Sequence, residues 1–173
     1  MIPFRIVLTG FMGTGKTAVG LALSKRLGYE FLDTDLMVEQ DTGKTITEIF
    51  EKEGEASFRS YEKKIVQQSL QKERVVIATG GGAVTDAESL QLMKERGFLI
   101  GLSASPESIM ERIAQMQTRP LMNTKDKMKR IKELMSHRSP YYREADTIID
   151  TTAKSVETTI EEILNVLHGE PKS

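Results

Sequence analysis

The sequence contains no cysteine and no tryptophan, and only two histidines among its 173 residues. Without cysteine there is no disulfide, no thiolate nucleophile and no cysteine-based zinc site. His137 and His168 stand far apart without the spacing of metal ligands, so we interpret each as an ordinary surface residue. No apolar run approaches the roughly 18 residues of a membrane span. We expect no signal peptide either, because the first residues already read as a core strand.

An excess of charge of one sign is also missing. The 24 basic and 25 acidic residues nearly cancel, so no global field would attract nucleic acid or an anionic membrane. A chain of 173 residues is long enough for one domain with a single sizeable core. A cytoplasmic enzyme with neither a nucleic-acid nor a membrane partner fits these features. Separately, we expect a monomer that acts on a small-molecule substrate.

What the sequence does contain is a complete phosphate-binding loop at residues 10–17, which read GFMGTGKT. The pattern follows a short apolar run at 4–9 that predicts a buried strand and precedes a stretch at 18–27 that predicts a helix. Its glycines let backbone N–H groups turn toward a polyphosphate, and the helix N-terminus adds partial positive charge. Lys16 would reach the β- and γ-phosphates and the Thr17 hydroxyl would ligate Mg²⁺. The loop predicts binding of a nucleoside triphosphate.

Four further strands are predicted after this loop, with helical stretches between them. They lie at residues 30–33, 74–79, 98–102 and 147–150. Thr45 with Glu48 has the spacing of a capping box, and so has Thr85 with Glu88. Ser105 stands as an N-cap before a first-turn proline. The alternation predicts an α/β fold whose parallel sheet is covered by helices on both faces, with ligands at the carboxyl ends of the strands.

Two predicted strand ends carry residues of interest. Asp33 and Asp35 end the second strand, and a small-molecule kinase needs one carboxylate near Mg²⁺ and another near the acceptor hydroxyl. Either aspartate would alternatively serve as a helix N-cap. Gly80, Gly81 and Gly82 end the third strand. Because three successive glycines are costly in backbone entropy, close approach of a ligand explains them better than a simple turn.

Two arginines are candidates for binding an organic acid. Arg59 and Glu62 lie three residues apart on one face of a predicted helix, where solvated surface charge is the usual explanation. Arg138 comes just ahead of Pro140, which we expect to disrupt its helix. Since an arginine binds a carboxylate through two parallel hydrogen bonds, two converging arginines would suit an organic acid. Sequence spacing does not show whether they converge.

Residues 115–126 are polar and interrupt the helical pattern. Their length and character favour a mobile lid over an ordinary exposed loop, and Arg119 within them would swing over the transferring phosphoryl group. Residues 169–173 predict a flexible tail.

Taken in order and spacing, these motifs resemble shikimate kinase over nearly the whole chain. The matching residues are the loop at 10–17, Asp33-Thr34-Asp35, Phe58-Arg59 with Glu62, Gly80-Gly81-Gly82, Arg119-Pro120-Leu121, and Arg138 with Pro140, Tyr142, Glu144 and Ala145. The resemblance implies a three-layer P-loop NTPase fold of the nucleoside monophosphate kinase type with a five-stranded parallel sheet. One domain, 1–168, would include the lid at 115–126 and a shikimate-binding segment at 33–62. The implied reaction moves the γ-phosphoryl group of ATP to the 3-hydroxyl of shikimate, in the chorismate route to aromatic amino acids.

The resemblance also implies individual roles. Lys16 and Arg119 would offset charge on the phosphoryl group, and Asp35 would hold shikimate hydroxyls and act as the base. Asp33 would help place Mg²⁺ through water, beside Thr17. The implied shikimate contacts are Asp35, Arg59, Arg138, Gly80, Gly81 and Gly82. The implied ATP contacts are Gly13, Thr14, Gly15, Lys16, Thr17, Ala18, Arg112, Arg119 and Lys154. Ala18 stands where many members carry a second hydroxyl residue, and Lys154 is near the place where relatives often have arginine.

Two other classes of function stay open at this stage. The first is a different P-loop kinase that acts on gluconate or on a nucleoside monophosphate. A nucleotide acceptor would need extra cations for its phosphate and polar groups that recognise a base. A nucleotide-binding module without catalysis is the other, and the intact set of Lys16, Thr17, Asp33 and Asp35 argues against it.

Overall fold

The computed structural model describes residues 2–114 and 126–169, which form five β-strands and eight α-helices. The strands are β1 (Arg5–Gly10), β2 (Glu30–Asp33), β3 (Val75–Ala78), β4 (Phe98–Ser103) and β5 (Thr147–Asp150). The helices are α1 (Lys16–Leu27), α2 (Thr34–Thr42), α3 (Ile46–Lys52), α4 (Gly54–Ser69), α5 (Ala87–Arg96), α6 (Pro106–Ala114), α7 (Lys127–Tyr142) and α8 (Val156–His168). The strands form one parallel sheet in the order β2-β3-β1-β4-β5. The predicted α/β fold is confirmed.

The hydrophobic core lies on both faces of the central strand β1. Ile6 and Leu8 pack on one face with residues of α1 and α8, including Ile163. Val7 points to the opposite face, where it packs with Met93 of α5. All three β1 residues are fully buried, because successive side chains of a strand alternate between two covered faces. This explains why the strand is an unbroken apolar run in the sequence.

The local sequence signals for the strands and for two helix starts are confirmed. Each predicted strand agrees with the observed one to within one residue at either end. Thr45 and Glu48 form the capping box at the start of α3: the Glu48 N–H donates to Thr45 Oγ1 at 3.2 Å, and the Thr45 N–H donates to Glu48 Oε2 at 2.9 Å. Ser105 Oγ accepts from the N–H of Ser108 at 3.2 Å at the start of α6.

The second predicted capping box is wrong. Helix α5 is capped one residue later by Asp86, whose carboxylate accepts from the N–H of Ser89 at 2.8 Å. The Thr85 hydroxyl instead donates to the Gly82 carbonyl at 2.7 Å and closes a short 3₁₀ turn. A hydroxyl engaged in that turn leaves the cap to the stronger carboxylate acceptor beside it.

The expected disruption at Pro140 is also wrong, because this proline lies inside α7. A proline removes one i to i−4 hydrogen bond and needs room at the preceding turn. Near a C-terminus that loss is limited, and the ladder resumes with the Arg143 N–H donating to the Ser139 carbonyl at 3.2 Å. Arg138 therefore projects from a continuous helix.

The topology places three loops side by side at one edge of the sheet. The carboxyl ends of β2, β3 and β1 are neighbours, so the aspartates, the glycine run and the phosphate-binding loop meet there. Of the predicted lid, only Asp126 is among the described residues, and it caps α7 by accepting from the Lys129 N–H at 3.1 Å. Of the predicted tail, only Gly169 is described. Within residues 2–114 and 126–169 no helix combines the length and apolarity needed to cross a bilayer.

Candidate active site

The phosphate-binding loop has the backbone conformation that its glycines predict. Gly10, Gly13 and Gly15 have φ angles of 146°, 78° and 97°, which side-chain-bearing residues rarely adopt. Lys16 is buried, and its Nζ donates to the carbonyls of Gly10 at 2.8 Å and Phe11 at 2.9 Å. Internal donors thus occupy carbonyl oxygens of the loop, which leaves its outward face to N–H groups.

The start of α1 supplies donors and a hydroxyl group. The helical ladder begins with the Val19 N–H donating to the Gly15 carbonyl at 2.9 Å, so the N–H groups of Thr17 and Ala18 have no acceptor within the helix. The Thr17 hydroxyl donates to Asp33 Oδ2 at 2.8 Å. A hydroxyl and a carboxylate oxygen at this spacing suit Mg²⁺, which keeps several waters and phosphate oxygens as its other ligands. The part of the chain that the structure describes has no cluster of three or more acidic, histidine or cysteine side chains that would hold a metal alone.

Asp33 is a helix N-cap, one of the two roles considered from the sequence, and it also contacts the Thr17 hydroxyl. Its Oδ1 caps α2 by accepting from the N–H groups of Asp35 at 3.0 Å and Leu36 at 3.3 Å, while its Oδ2 faces Thr17. Because α2 begins directly at Thr34, Asp35 lies in the first turn of a helix and does not continue the strand. The turn brings Asp35 Oδ1 close to the glycine run, 2.8 Å from the position of a β-carbon built on Gly80.

A cleft beside this loop collects every residue predicted to contact the acceptor. Its polar lining is formed by Asp35, Arg59, Glu62, Gly80, Gly81, Gly82 and Arg138. Its apolar lining is formed by Met12, Ile46, Phe50 and Phe58. Met12 belongs to the phosphate-binding loop, so the cleft borders the nucleotide side directly. The two arginines, whose convergence the sequence did not show, converge here.

Arg59 is held in the cleft by two carboxylates of its own helix. Its Nη1 donates to Glu62 Oε2 at 2.7 Å, and its Nη2 donates to Glu55 Oε1 at 3.1 Å. The guanidinium also lies 5.2 Å from the centre of the Phe58 ring. The usual explanation of solvated surface charge is wrong for this pair, since only 3 % of Glu62 is exposed.

Glu62 is a buried carboxyl in the cleft whose pKa is shifted. Burial raises the pKa of its carboxyl above the ordinary value, Arg59 acts in the opposite direction, and Asp35 adds to the rise. Among the described residues its Oε1 has no hydrogen-bond partner. A buried carboxylate oxygen without a hydrogen-bond partner lowers the stability of the fold. Such an arrangement indicates a functional role for the cleft.

The glycine run makes room for these charged side chains. A β-carbon on Gly80 would collide with Glu62 Oε1 and lie 2.8 Å from Asp35 Oδ1. A β-carbon on Gly82 would collide with the Arg59 guanidinium. The absence of a β-carbon at both glycines thus lets these side-chain ends approach the backbone closely, a reason for glycine besides the ligand approach expected from the sequence.

Helix α7 contributes Arg138 to the lining of the cleft and Tyr142 to a contact with the glycine run. Arg138 is buried, and its guanidinium lies 5.9 Å from the centre of the Phe11 ring. The Tyr142 hydroxyl donates to the Gly81 carbonyl at 2.5 Å. Burial raises the pKa of Tyr142 to about 12, although Arg138 opposes the rise, so the phenol stays protonated as a donor. Sequence reasoning matched Tyr142 to the family but gave it no role.

The predicted adenine-side residues are engaged with protein partners. Arg112 Nη1 donates to the Gly13 carbonyl and to Thr151 Oγ1, both at 3.0 Å, and its Nη2 donates to the Thr151 carbonyl at 2.8 Å. Lys154 Nζ pairs with the Glu162 carboxylate at 2.8 Å. Thr151 was missed by sequence reasoning; its position directly after β5, at the carboxyl edge of the sheet, was the available signal. Arg119 lies outside the described residues.

Comparison with known proteins identifies the family of this chain. The sequence pattern described as shikimate kinase matches residues 12–168. The chain belongs to the shikimate kinase family. A shikimate kinase from Caldanaerobacter subterraneus subsp. tengcongensis is 45% identical over 160 residues, which cover 92% of this chain and 94% of that protein. One from Pelotomaculum thermopropionicum is 45% identical over 163 residues, covering 94% and 95%.

A solved structure of the same family agrees with the fold. The shikimate kinase from Acinetobacter baumannii, in complex with shikimate, aligns with a TM-score of 0.93 at 36% identity. The alignment covers 96% of this chain and 94% of that one. The family resemblance inferred from the sequence motifs is thereby confirmed.

Proposed function

We propose that this protein transfers the γ-phosphoryl group of ATP to the 3-hydroxyl of shikimate, giving shikimate 3-phosphate and ADP for the chorismate route to aromatic amino acids. Membership of the shikimate kinase family supports the reaction. The observation that carries it is the cleft, in which Arg59 and Arg138 meet beside the phosphate-binding loop. Two planar cations in one partly apolar cleft fit a small cyclic acid.

On the acceptor side, Arg59 and Arg138 bind the shikimate carboxylate. Glu62 and Glu55 fix the direction of the Arg59 fork, which reduces the freedom lost on binding. The glycine run lines the pocket with bare backbone. Asp35 holds a shikimate hydroxyl and accepts its proton as the oxygen attacks the phosphoryl group.

On the nucleotide side, the loop and the start of α1 bind the phosphates through backbone N–H groups. Lys16 Nζ now donates to two loop carbonyls, and we expect it to turn from them to the phosphate oxygens, where it stabilises charge in the transition state. Thr17 would hold Mg²⁺ directly, and Asp33 would hold it through water. When bound, the ion neutralises charge on the phosphates.

The remaining nucleotide contacts stay predictions. Gly13, Gly15 and Ala18 contribute backbone N–H groups, and Thr14 lies with them in the loop. Arg112 and Lys154 lie on the adenine side, and Lys154 would leave Glu162 to reach the ligand.

The lid and the quaternary state are predictions of the same kind. Arg119 closes over the phosphoryl group on a lid at 115–126, which includes residues beyond the two described ranges. We also expect one domain, residues 1–168, that acts as a monomer in the cytoplasm.

The direct test measures ADP release with a panel of acceptors: shikimate, gluconate and the nucleoside monophosphates. Shikimate should be phosphorylated far better than any other member, and the purified Lys16→Ala variant should show almost none of that rate, which excludes a contaminating kinase. Comparable turnover of a nucleoside monophosphate or of gluconate would overturn the assignment. ATP binding without turnover of any acceptor would instead identify a non-catalytic nucleotide-binding module.

A further inference from the structure

Thr151 joins three parts of the molecule at the nucleotide side of the site. Only 3 % of the residue is exposed. Its hydroxyl oxygen lies 2.9 Å from the Thr14 carbonyl and 3.0 Å from the Ser103 carbonyl, and it accepts from Arg112 Nη1 at 3.0 Å. Its own N–H donates to the Ser103 carbonyl at 2.8 Å. One small side chain thus connects the phosphate-binding loop, the end of β4 and helix α6.

The bond to the Thr14 carbonyl fixes the direction of a peptide plane in the loop. The chain has no cis peptide among its described residues, so the Thr14 carbonyl and the Gly15 N–H point in opposite directions within that plane. With the carbonyl held against Thr151, the Gly15 N–H points away from β5. Arg112 holds the Gly13 carbonyl in the same manner, at 3.0 Å.

We propose that the Thr151 hydroxyl is a positioning group for nucleotide binding. It holds the Thr14 carbonyl back so that the Gly15 N–H stays directed at the phosphates, and it keeps Arg112 attached to the same loop. Thr151 acts through the loop and does not itself contact the reacting atoms. The proposal rests on the proposed function for the identity of the nucleotide, ATP.

A hydroxyl is needed at this position because an apolar side chain of the same shape would leave the Thr14 carbonyl without its donor. Thr14 is itself only 1 % exposed, so water has little access to that carbonyl. Serine keeps the hydroxyl, whereas valine keeps the shape without it. These two substitutions separate hydrogen bonding from packing.

The test compares Thr151→Val and Thr151→Ser with the unaltered protein. ADP affinity by calorimetry, KM for ATP, KM for shikimate and the thermal midpoint are measured for each. Thr151→Val should weaken ADP binding and raise KM for ATP by up to about tenfold, the size of one hydrogen bond, with KM for shikimate unchanged. Thr151→Ser should restore the nucleotide values.

Thr159→Val is the matched control. Thr159 is equally buried in α8, and its hydroxyl donates to the Ser155 carbonyl at 2.9 Å, away from the loop. This variant should lower the thermal midpoint without changing either KM. An equal loss in Thr159→Val, or a parallel loss of ATP and shikimate affinity in Thr151→Val, would reduce Thr151 to a structural role and overturn the proposal.

Two further outcomes are distinguishable. If Thr151→Val does not fold, ADP affinity is compared between Thr151→Ala and Thr151→Ser, and equal values overturn the proposal. If the unaltered protein binds ADP but does not phosphorylate shikimate, the proposed function fails while the ADP comparison still tests Thr151.

Discussion

The two halves of the candidate active site are built in different ways. The nucleotide half consists mainly of backbone groups from eight consecutive residues, 10–17, and its carbonyls are bonded by nearby donors such as Lys16, Arg112 and Thr151. The acceptor half consists of charged side chains from α2, α4 and α7 gathered around a bare glycine run. The nucleotide half thus depends on the local conformation of one loop, whereas the acceptor half depends on side chains that the fold brings together from three helices.

The difference extends to electrostatics. The polar groups of the loop are mainly neutral backbone groups, and the one buried charge, Lys16, donates to two loop carbonyls. The acceptor cleft instead buries a carboxyl whose pKa is raised and whose Oε1 has no partner in the described ranges. We therefore expect the loss of Lys16 to act mainly on turnover. Changes on the acceptor side should act mainly on shikimate affinity and, at Glu62, on the pH dependence of stability.

The largest expected effect tests the nucleotide half. Lys16→Ala should lower kcat by on the order of a hundredfold or more, as expected for the loss of one preorganised donor to the transition state. Shikimate affinity should hardly change. Saturating steady-state rates measure the effect, and Lys25→Ala, an exposed lysine at the far end of α1, is the control. A near-normal rate would show that Lys16 is not a catalytic residue.

The next effect tests the acceptor half. Arg59→Ala should weaken shikimate binding by about 1.5–3 kcal/mol, the range for hydrogen bonds to a charged group, and leave ATP binding unchanged. Titration calorimetry with each ligand alone measures both values. Lys63→Ala, one turn further along α4, is the control. Lost ATP affinity with retained shikimate affinity would assign Arg59 to the nucleotide half.

A smaller effect is expected at the glycine run. Tyr142→Phe keeps the ring but removes the donor to the Gly81 carbonyl. KM for shikimate should rise by the equivalent of about 0.5–1.5 kcal/mol, with KM for ATP unchanged. Tyr141→Phe, at the adjacent position, should leave both constants as they are. A Tyr142 variant that raised both constants equally would show that the tyrosine stabilises the fold as a whole and has no specific effect on shikimate binding at the glycine run.

The smallest effect concerns pH. Because the pKa of Glu62 is raised in the folded state, the folded protein binds more protons than the unfolded chain above about pH 4.5, and stability from this group falls as the pH rises toward its folded pKa. Glu62→Gln removes the titration. The thermal midpoint of the unaltered protein minus that of the variant should therefore decrease between pH 4.5 and pH 8. A difference that grew with pH would mean that the ion pair with Arg59, which lowers the pKa of Glu62, outweighs the effect of burial, which raises it.

Sequence patterns predicted most of the secondary structure because strand burial, caps and the phosphate-binding loop are local. The exceptions are instructive. At Thr85 a competing turn occupied the hydroxyl, and at Pro140 the proline stood too close to the helix end to stop it. In the site, Arg59 and Glu62 were recognised as one helical face, but their burial depends on packing against the glycine run, which spacing does not encode.

By itself the sequence determined the α/β fold, the phosphate-binding loop and the family, because each rests on residues close in the chain or on their order along it. Only the tertiary structure decided that Arg59 and Arg138 converge, that Asp33 both caps a helix and faces Thr17, and that Thr151 holds the phosphate-binding loop. The contact of Asp33 with Thr17 joins residues 16 positions apart, and that of Thr151 with Thr14 joins residues 137 positions apart. The physical reason is that the sheet order makes neighbours of strand ends that are distant in the chain, and burial then fixes the direction of each side chain.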